Sequence, residues 1–347
     1  MGTEATRGEA PIRHGGDLSE ARRRFPDAPE PWIDLSTGIN PVPYPCPPIE
    51  ASHFARLPAP DDLRALQAAA ATAYGAATPE QVVAAPGTQV LISLLPRLRP
   101  PGRVAVVSPT YAEHAAGWRR AGHGVEAVAD LDAAAGLDVA VVVSPNNPDG
   151  RTWSPDALSE LAGRLAARGG WLVVDEAFAD LEPGPGLCPV LPPGAIVLRS
   201  FGKTYGLAGL RLGFAVTEAD LAARIRDGLG PWAVSGPAIA VGRQALADTA
   251  WRSRTRADRF RDAARLDGML ERAGGRTVGG TCLFRTAAFA RAPALFDGLG
   301  RAGIHVRRFD DLPDRLRFGL PADEPQWRRL EAALLAVGPE RGETATG

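Results

Sequence analysis

The sequence contains a single lysine. Lysine and arginine together number 39 of the 347 residues, and Lys203 is the one of these basic positions that is not arginine. A chain that uses arginine for its surface charge has kept one amine, and the plainest reason is chemistry that a guanidinium cannot perform. Arginine stays protonated, whereas a desolvated lysine can lose its proton and attack a carbonyl carbon to form a Schiff base.

Cysteine, net charge and long apolar runs are also scarce. The three cysteines are scattered without metal-ligand spacing, which predicts free thiols in a reducing cytoplasm and no metal site. No run reaches about 18 apolar residues, and residues 1–16 lack the apolar core of a signal peptide. The net charge of −1 argues against broad nucleic-acid binding. We therefore expect a cytoplasmic globular protein that binds neither membrane nor nucleic acid.

Strand and helix patterns alternate along most of the chain. Residues 139–144 form an unbroken apolar run, as does the segment 171–174, and such runs are typical of strands buried on both faces. This alternation predicts an α/β fold with a mainly parallel sheet covered by helices. A long arginine-rich helix predicted over 251–273 then leads to a C-terminal series of strands and helices. Two domains are therefore expected in a chain of this length.

The residues around Lys203 suit the binding of a phosphate. Ser200 lies three residues before the lysine and Arg211 eight after it, in a glycine-rich segment. A hydroxyl, a guanidinium and bare backbone amides are groups that hold phosphate. Gly87 and Thr88 follow another predicted strand and begin a helix, which is weak evidence for a second anion contact. A phosphate-bearing aldehyde next to an amine suggests pyridoxal phosphate.

Polar side chains follow the carboxyl ends of the predicted strands, where ligands bind in doubly wound sheets. Asp175 could pair with a protonated pyridine nitrogen or cap the next turn, and Asn147 could donate to a ring oxygen or serve ordinary turn chemistry. Tyr111 either stacks on a ring or belongs to the core. Arg317 either faces solvent or binds a carboxylate. His14, beside two glycines, is either part of a flexible turn or a substrate contact.

The ordered set of motifs resembles a known family. Ser-x-x-Lys with arginine eight residues later, Asn-Asn-Pro-x-Gly, a strand followed by Asp-Glu-Ala, and a late Leu-Arg-Phe-Gly are together similar to the fold-type I, class I and II aminotransferase-like pyridoxal-phosphate enzymes, over about residues 35–336. The resemblance implies a large domain with a mainly parallel, seven-stranded-type sheet, a small α+β C-terminal domain and a homodimer. The implied division is an N-terminal arm that contributes to the small domain and active site (1–40), a large cofactor-binding domain (41–250) and a small domain (251–347).

The short length is similar to the histidinol-phosphate aminotransferase branch of that family. Within the branch, residues 14–17 and 35–41 most resemble the threonine-phosphate decarboxylases of cobalamin biosynthesis. This resemblance implies decarboxylation of L-threonine O-3-phosphate to (R)-1-amino-2-propanol O-phosphate. Two alternatives remain: a histidinol-phosphate-type aminotransferase, and a non-catalytic protein of the same fold that acts as a partner in a biosynthetic complex.

The resemblance also implies a role for each matching residue. The catalytic set is Lys203, which carries the cofactor as a Schiff base, Asp175 and Tyr111. The residues implied to bind pyridoxal 5'-phosphate are Gly87, Thr88, Gln89, Tyr111, Asn147, Asp175, Ser200, Lys203 and Arg211. The residues implied to bind a small phosphorylated amino acid are His14, Thr37, Gly38, Asn147 and Arg317.

Within the set of residues implied to bind substrate, Arg317 is expected to bind the carboxylate, and His14 and Thr37 are candidates for binding the substrate phosphate.

One position departs from the family pattern. Phe178 stands where many relatives carry a tyrosine whose hydroxyl touches the ring oxygen of the cofactor. Asn147 is then the only side-chain donor expected at that oxygen, which changes how the protonation of the Schiff base is tuned.

Overall fold

The computed structural model describes Ile12 and residues 14–337. Residues 1–11, 13 and 338–347 lie outside the described part of the chain. The N-terminal end of the predicted arm and the C-terminal end of the predicted small domain therefore lie outside the described residues. The same holds for most of residues 1–16, which the sequence predicts not to be a signal peptide. Among the described helices, none is both long and apolar enough to cross a membrane.

Helices and strands alternate through the described chain. The helices are α1 (Leu18–Arg24), α2 (Ser52–Ala55), α3 (Pro60–Tyr74), α4 (Thr88–Leu94), α5 (Ala112–Arg120), α6 (Leu131–Ala134), α7 (Pro155–Ala166), α8 (Phe201–Thr204), α9 (Ala219–Leu229), α10 (Gly236–Ala247), α11 (Thr249–Arg272), α12 (Ala292–Arg301) and α13 (Glu324–Val337). The strands are β1 (Ile33–Leu35), β2 (Val82–Ala85), β3 (Arg103–Val107), β4 (Gly124–Val128), β5 (Val139–Val143), β6 (Trp171–Asp175), β7 (Ala195–Ser200), β8 (Gly213–Thr217), β9 (Arg276–Thr281), β10 (Phe284–Ala288), β11 (Ile304–Arg308) and β12 (Arg315–Gly319).

The larger sheet has seven strands in the order β2-β8-β7-β6-β5-β3-β4. Strand β8 runs antiparallel to both of its neighbours, and the other neighbouring pairs are parallel. All five residues of β5 are buried, as its unbroken apolar sequence predicts for a strand covered on both faces. The predicted seven-stranded, mainly parallel α/β architecture is confirmed.

The smaller sheet has the order β1-β11-β12-β10-β9. Strand β1, near the start of the described chain, pairs in parallel with β11, and Ile33 lies opposite Ile304. The two strands are therefore about 270 residues apart in the sequence. The remaining pairs are antiparallel. Helices α12 and α13 and the C-terminal half of α11 pack on this sheet and form a second hydrophobic core.

Local backbone geometry shapes two of the strands. Strand β8 begins only at Gly213, because Arg211 adopts a left-handed conformation with φ of 54° and interrupts the extended backbone. Strand β9 contains the pair Gly279-Gly280, which is more typical of a turn. A Cβ at Gly279 would lie 1.9 Å from the carbonyl oxygen of Asp149, so glycine is required there by the close approach of another segment.

Helix α7 begins with a side-chain cap and a first-turn proline. Its first residue is Pro155, and the hydroxyl of Ser154 accepts a hydrogen bond from the backbone N–H of Ala157 at 3.2 Å. The proline-rich stretch 42–60 contains the short helix α2. These details do not alter the sheet that positions the site.

Candidate active site

A cavity of about 490 Å³ lies beyond the carboxyl ends of β5, β6 and β7, between the two sheets. All residues assigned to a site from the sequence contribute to its wall. They are His14, Thr37, Gly38, Gly87, Thr88, Gln89, Tyr111, Asn147, Asp175, Ser200, Lys203, Arg211 and Arg317. The topology therefore brings residues from nine separate stretches of the chain into one cavity, as expected for the strand ends of an open α/β sheet.

Lys203 lies on α8, directly after β7, and its amine faces the cavity. The Nζ atom lies 5.0 Å from the centre of the Phe178 ring. The pKa of Lys203 is lowered to about 8, mainly by burial and also by the positive charges of Arg317 and Arg211, while the negative charge of Asp175 opposes the shift. Because the pKa is near neutrality, a useful fraction of the amine is unprotonated and nucleophilic at physiological pH.

Asp175 ends β6 and is buried beneath the cavity. Its Oδ2 atom lies 2.9 Å from Nε2 of His114, and its Oδ1 atom accepts a hydrogen bond from the backbone N–H of Ala177 at 3.0 Å. Both carboxylate oxygens are thus held in place. His114 was missed from the sequence, although its position one turn after Tyr111 on the helix that follows β3 is a usable signal.

Arg317 and Asn147 contact each other on the small-sheet side of the cavity. Arg317 lies on β12; its Nη1 atom donates to Oδ1 of Asn147, and its Nη2 atom donates to the carbonyl oxygen of Ser36 at 2.7 Å. Burial, with the positive charge of Arg307, lowers the pKa of Arg317. Since Oδ1 of Asn147 is engaged as an acceptor, its NH₂ group is the end left to donate into the cavity.

The groups expected to hold a phosphate converge at one end of the cavity. Ser200 pairs with Gly213 across β7 and β8, and Gly213 pairs with Ala85 at the end of β2. A Cβ at Gly213 would lie 2.7 Å from the backbone nitrogen of Thr88, and a Cβ at Gly87 would lie 2.8 Å from Nη2 of Arg211. The two glycines therefore allow a guanidinium, a hydroxyl and a backbone amide to approach one point, which is a chemistry suited to a phosphate.

A chain of hydrogen bonds runs along the cavity rim. The hydroxyl of Tyr111 donates to Oε1 of Gln89 at 3.1 Å, and Nε2 of Gln89 donates to Oε2 of Glu113 at 3.2 Å. Nε2 of His14 lies 3.2 Å from the other oxygen of Glu113. Burial raises the pKa of Tyr111 to about 12, so its hydroxyl remains protonated. Glu113 was not predicted, and it connects the segment of His14 to the wall of the cavity.

Phe178 occupies the position at which the sequence departs from the family pattern. Its ring packs edge-on against Phe284 with 4.9 Å between ring centres. A Cβ at Gly38 would lie 2.7 Å from Cε1 of Phe178, so the glycine is required by the ring that faces it. The ring therefore gives the cavity an apolar wall beside the amine of Lys203 in place of a hydroxyl.

Comparison with models of protein families identifies the family of this chain. The model of the family described as aminotransferase class I and II matches residues 32–331. The chain belongs to this family. The family predicted from the ordered motifs is therefore confirmed.

Two curated relatives are similar to this chain over almost its whole length. A threonine-phosphate decarboxylase from Pseudomonas aeruginosa is 47% identical over 328 residues, which are 93% of this chain and 97% of the relative. A threonine-phosphate decarboxylase from a Sinorhizobium species is 44% identical over 94% of this chain and 98% of its own length. Each match covers more than nine tenths of both chains, so the similarity is not confined to a short segment.

Solved structures support the fold. The crystal structure of histidinol-phosphate aminotransferase from Sinorhizobium meliloti in complex with pyridoxal-5'-phosphate superposes with a TM-score of 0.77, covering 96% of this chain and 98% of that one. The sequence identity between the two is 22%. A structural similarity at this low sequence identity establishes the aminotransferase-type fold, but it does not indicate the substrate.

Proposed function

We propose that the protein is a pyridoxal 5'-phosphate-dependent lyase that decarboxylates L-threonine O-3-phosphate to (R)-1-amino-2-propanol O-phosphate. The observation that carries the proposal is the arrangement around Lys203. The only lysine of the chain lies in a cavity with Asp175, Arg211 and Arg317, in a protein nearly half identical to a threonine-phosphate decarboxylase over almost its whole length. The resemblance noted from the sequence places that reaction in cobalamin biosynthesis.

The residues present fit the cofactor. An amine with a pKa lowered to about 8 suits the aldehyde, and the carboxylate of Asp175 suits a protonated pyridine nitrogen. The convergence of Arg211, Ser200 and Thr88 suits the cofactor phosphate, and the close contact of Gly87 with Arg211 leaves no room for a side chain there. When bound, the cofactor supplies an electron sink for the pair left on the substrate's α carbon.

The protein's own groups choose which bond to that carbon breaks. Arg317 is the group suited to the substrate carboxylate, because it is a buried guanidinium fixed by Asn147 and by the carbonyl of Ser36. A carboxylate held in this way can be directed so that carbon dioxide leaves. Lys203, once released from the cofactor, then lies in the cavity as the general acid that delivers a proton to the α carbon.

The substrate phosphate requires a second cationic region. We propose that His14 and Thr37 contact it, since both line the cavity near the N-terminal segment. An adjoining cavity of about 370 Å³ shares His14 and Arg317 and is also lined by Arg307. Asp310 and Asp311 also line this adjoining cavity. Arg307 pairs with Arg317 across β11 and β12 and its charge lowers the pKa of Arg317, so a second positive charge lies close to the one proposed for the carboxylate. A substrate with two anionic groups matches that distribution.

The rival activity is transamination of histidinol phosphate or another amino acid. It is favoured by the fold, which is shared with the histidinol-phosphate aminotransferase from Sinorhizobium meliloti. The third alternative, a non-catalytic protein of this fold, is opposed by the presence of every expected site residue in one cavity. A colourless purified protein that cannot be reconstituted with the cofactor would revive it.

Product analysis distinguishes the activities. The purified, cofactor-loaded protein is incubated with L-threonine phosphate in the absence of any amino acceptor, and carbon dioxide and aminopropanol phosphate are measured. Release of both is expected for the lyase. Formation of glutamate from histidinol phosphate and 2-oxoglutarate, without carbon dioxide release from threonine phosphate, would overturn the proposal. Lys203→Ala should abolish turnover and the absorbance of the lysine–cofactor linkage, and retention of both would refute the assignment of the amine.

We also propose that the protein is a homodimer in the cytoplasm, with the stretch 42–60 at the subunit contact. Phe54 and Leu57 in that stretch are 69% and 68% exposed in the single chain, which is unusual for large apolar residues so close together. The proposed limits of arm, large domain and small domain remain those predicted from the sequence. Light scattering coupled to size-exclusion chromatography should give twice the mass of 36.5 kDa; a monomer at micromolar concentration would contradict the dimer.

A further inference from the structure

The long helix α11 buries a charged residue where an apolar one is expected. Its buried residues recur at helical spacing and are Trp251, Thr255, Arg259, Ala263, Leu266, Met269 and Leu270. Arg259 is 8% exposed. Removing a guanidinium from water is costly, and replacing such a buried ion by an apolar side chain is often neutral for stability. The arginine therefore calls for an explanation beyond packing.

Arg259 has two partners. Its Nη1 atom donates to Oδ1 of Asn40 at 3.1 Å, and its Nη2 atom pairs with Oδ2 of Asp262 at 2.7 Å. Asp262 lies one turn further along the same helix, so that pair is local. The contact with Asn40 instead joins α11 to the segment that follows β1, 219 residues earlier.

Asn40 in turn holds the backbone of Lys203 and its neighbour. The backbone N–H of Asn40 donates to the carbonyl oxygen of Lys203 at 2.9 Å, and the side-chain Nδ2 donates to the carbonyl oxygen of Thr204, also at 2.9 Å. Asn40 is 2% exposed, and its Oδ1 accepts a second bond from the backbone N–H of Val42 at 3.2 Å. Arg259 therefore orients the side-chain amide of Asn40, which holds the carbonyl of Thr204, and contacts a residue whose backbone N–H holds the carbonyl of Lys203.

The same helix contacts the Lys203 segment a second time. Trp251, in the first turn of α11, stacks on Tyr205 with 5.3 Å between ring centres and 13° between planes, and Tyr205 stacks on Phe201 at 4.3 Å. The other end of α11 contributes Leu266 and Leu270 to the core of the small sheet. One rigid helix thus connects the small-sheet core to the residues on both sides of Lys203.

We propose that Arg259 is a positioning residue for Lys203: through Asn40 it fixes the backbone from which the amine enters the cavity, and α11 couples that position to the small-sheet half of the molecule. The inference rests on the proposed role of Lys203. It goes beyond that role because Arg259 lines no part of the cavity described above, and the family resemblance assigns it nothing.

The test compares Arg259→Met with Arg261→Met. Methionine fills much of the space of the arginine stem and removes the donor to Asn40. Arg261 is the matched control, since it lies on the same helix, has a side chain that is 77% exposed and pairs with Asp258 on the helix surface. Amide hydrogen exchange is measured on the cofactor-free and the loaded protein, in peptides that contain the backbone N–H groups of Asn40 and Tyr44, which donate to Lys203 and Tyr205.

In Arg259→Met we expect those amides to exchange at least about tenfold faster in both forms, and kcat to fall about tenfold with KM changed less than about twofold. Arg261→Met should match the wild type in exchange and in kinetics. Wild-type exchange and kcat in Arg259→Met would overturn the proposal, as would equal effects of the two substitutions. A lower melting temperature alone, with exchange and kcat unchanged, would show a merely structural role.

A double-mutant cycle tests whether Arg259 acts through Asn40. In an Asn40→Ala background, Arg259→Met should change kcat and exchange by less than about twofold, because the link is already broken. Full additivity would contradict the relay. If Asn40→Ala does not fold, the comparison of Arg259→Met with Arg261→Met is sufficient to test the proposal.

The Lys203→Ala variant separates failure of this inference from failure of the proposed function. Activity retained by Lys203→Ala would contradict the proposed function. Loss of activity in Lys203→Ala, together with wild-type exchange and kcat in Arg259→Met, would contradict only this inference.

Discussion

The Nε2 atom of His114 lies 2.9 Å from Oδ2 of Asp175, and both side chains are buried. The histidine comes from α5 and the aspartate from the end of β6, and the second carboxylate oxygen is held by the backbone of Ala177. A carboxylate fixed at both oxygens presents its charge to the cavity in one orientation. This geometry suits the role proposed for Asp175, which is to keep a cofactor ring protonated.

Asp175→Asn should lower kcat about a thousandfold. A carboxylate about 4 Å from a protonated ring nitrogen contributes roughly 4 kcal/mol at an effective dielectric constant near 20, and the amide removes that charge while keeping the shape. The measurement is single-turnover decarboxylation by the loaded variant. His123→Gln serves as the control, since His123 is also buried, and its partners Pro96, Gly102 and Trp118 do not line the cavity. Equal kcat values for Asp175→Asn and wild type would remove Asp175 from its proposed role.

Lys203 should react with an external aldehyde, under reducing conditions, with a midpoint near pH 8. Burial disfavours the charged amine and lowers its pKa to about 8, so the reactive neutral fraction increases as the pH rises through that value and is nearly complete about a unit above it. A fully solvated lysine would have its midpoint near pH 10.4, so that its rate would still be increasing there. Cofactor-free protein is used, and modification is followed by peptide mass mapping, which separates Lys203 from the α-amino group. A midpoint above about pH 10 would contradict the buried environment.

Arg317→Met should weaken the binding of carboxylate-bearing substrate and spare a ligand that lacks the carboxylate. Loss of a charge-assisted hydrogen bond costs about 2 to 3 kcal/mol, or roughly 30- to 160-fold in KM for L-threonine phosphate. Aminopropanol phosphate, which has the same phosphate and no carboxylate, is the control ligand, and its inhibition constant should change less than about threefold. If both ligands weakened equally, Arg317 would instead be acting on the shared phosphate or on the shape of the cavity.

Phe178→Tyr should lower the pH at which the lysine–cofactor linkage loses its proton by about one unit. A tyrosine hydroxyl in that position would donate to the ring oxygen and neutralise part of the negative charge that attracts the proton. The midpoint is read from the absorbance of the loaded protein as a function of pH. The new hydroxyl must be accommodated next to Lys203, whose Nζ already lies 5.0 Å from the ring centre. An unchanged or higher midpoint would show that position 178 does not reach the ring oxygen.

Much of the site could be predicted because its residues lie in short, recognisable stretches. Ser200, Lys203 and Arg211 are separated by three and eight residues, so their spacing is visible without knowledge of the fold. Asp175 and Asn147 follow strands whose apolar runs mark them as buried on both faces. Parallel strands place their carboxyl ends at one edge of a sheet, so the strand pattern by itself predicts that these side chains lie close together.

The residues that were missed are those whose partners lie far away in the chain. His114 is one turn of helix from Tyr111, yet its partner Asp175 is 61 residues away. Nothing near Asn40 indicates a contact with Arg259, and nothing near Gly279 indicates that the backbone of Asp149 passes against it. Such contacts depend on strand order and on how the two sheets face each other.

The sequence by itself determined that this protein has one amine available for carbonyl chemistry, an α/β alternation and the local elements of a phosphate site. These properties depend on residue type and on spacings of a few residues, which the chain carries in its covalent order. The tertiary structure alone decided that Glu113 joins the rim, that His114 supports Asp175 and that Arg259 reaches Asn40. Those relationships arise because the folded sheets bring distant segments within hydrogen-bonding distance, and hydrogen bonds form only over that short range.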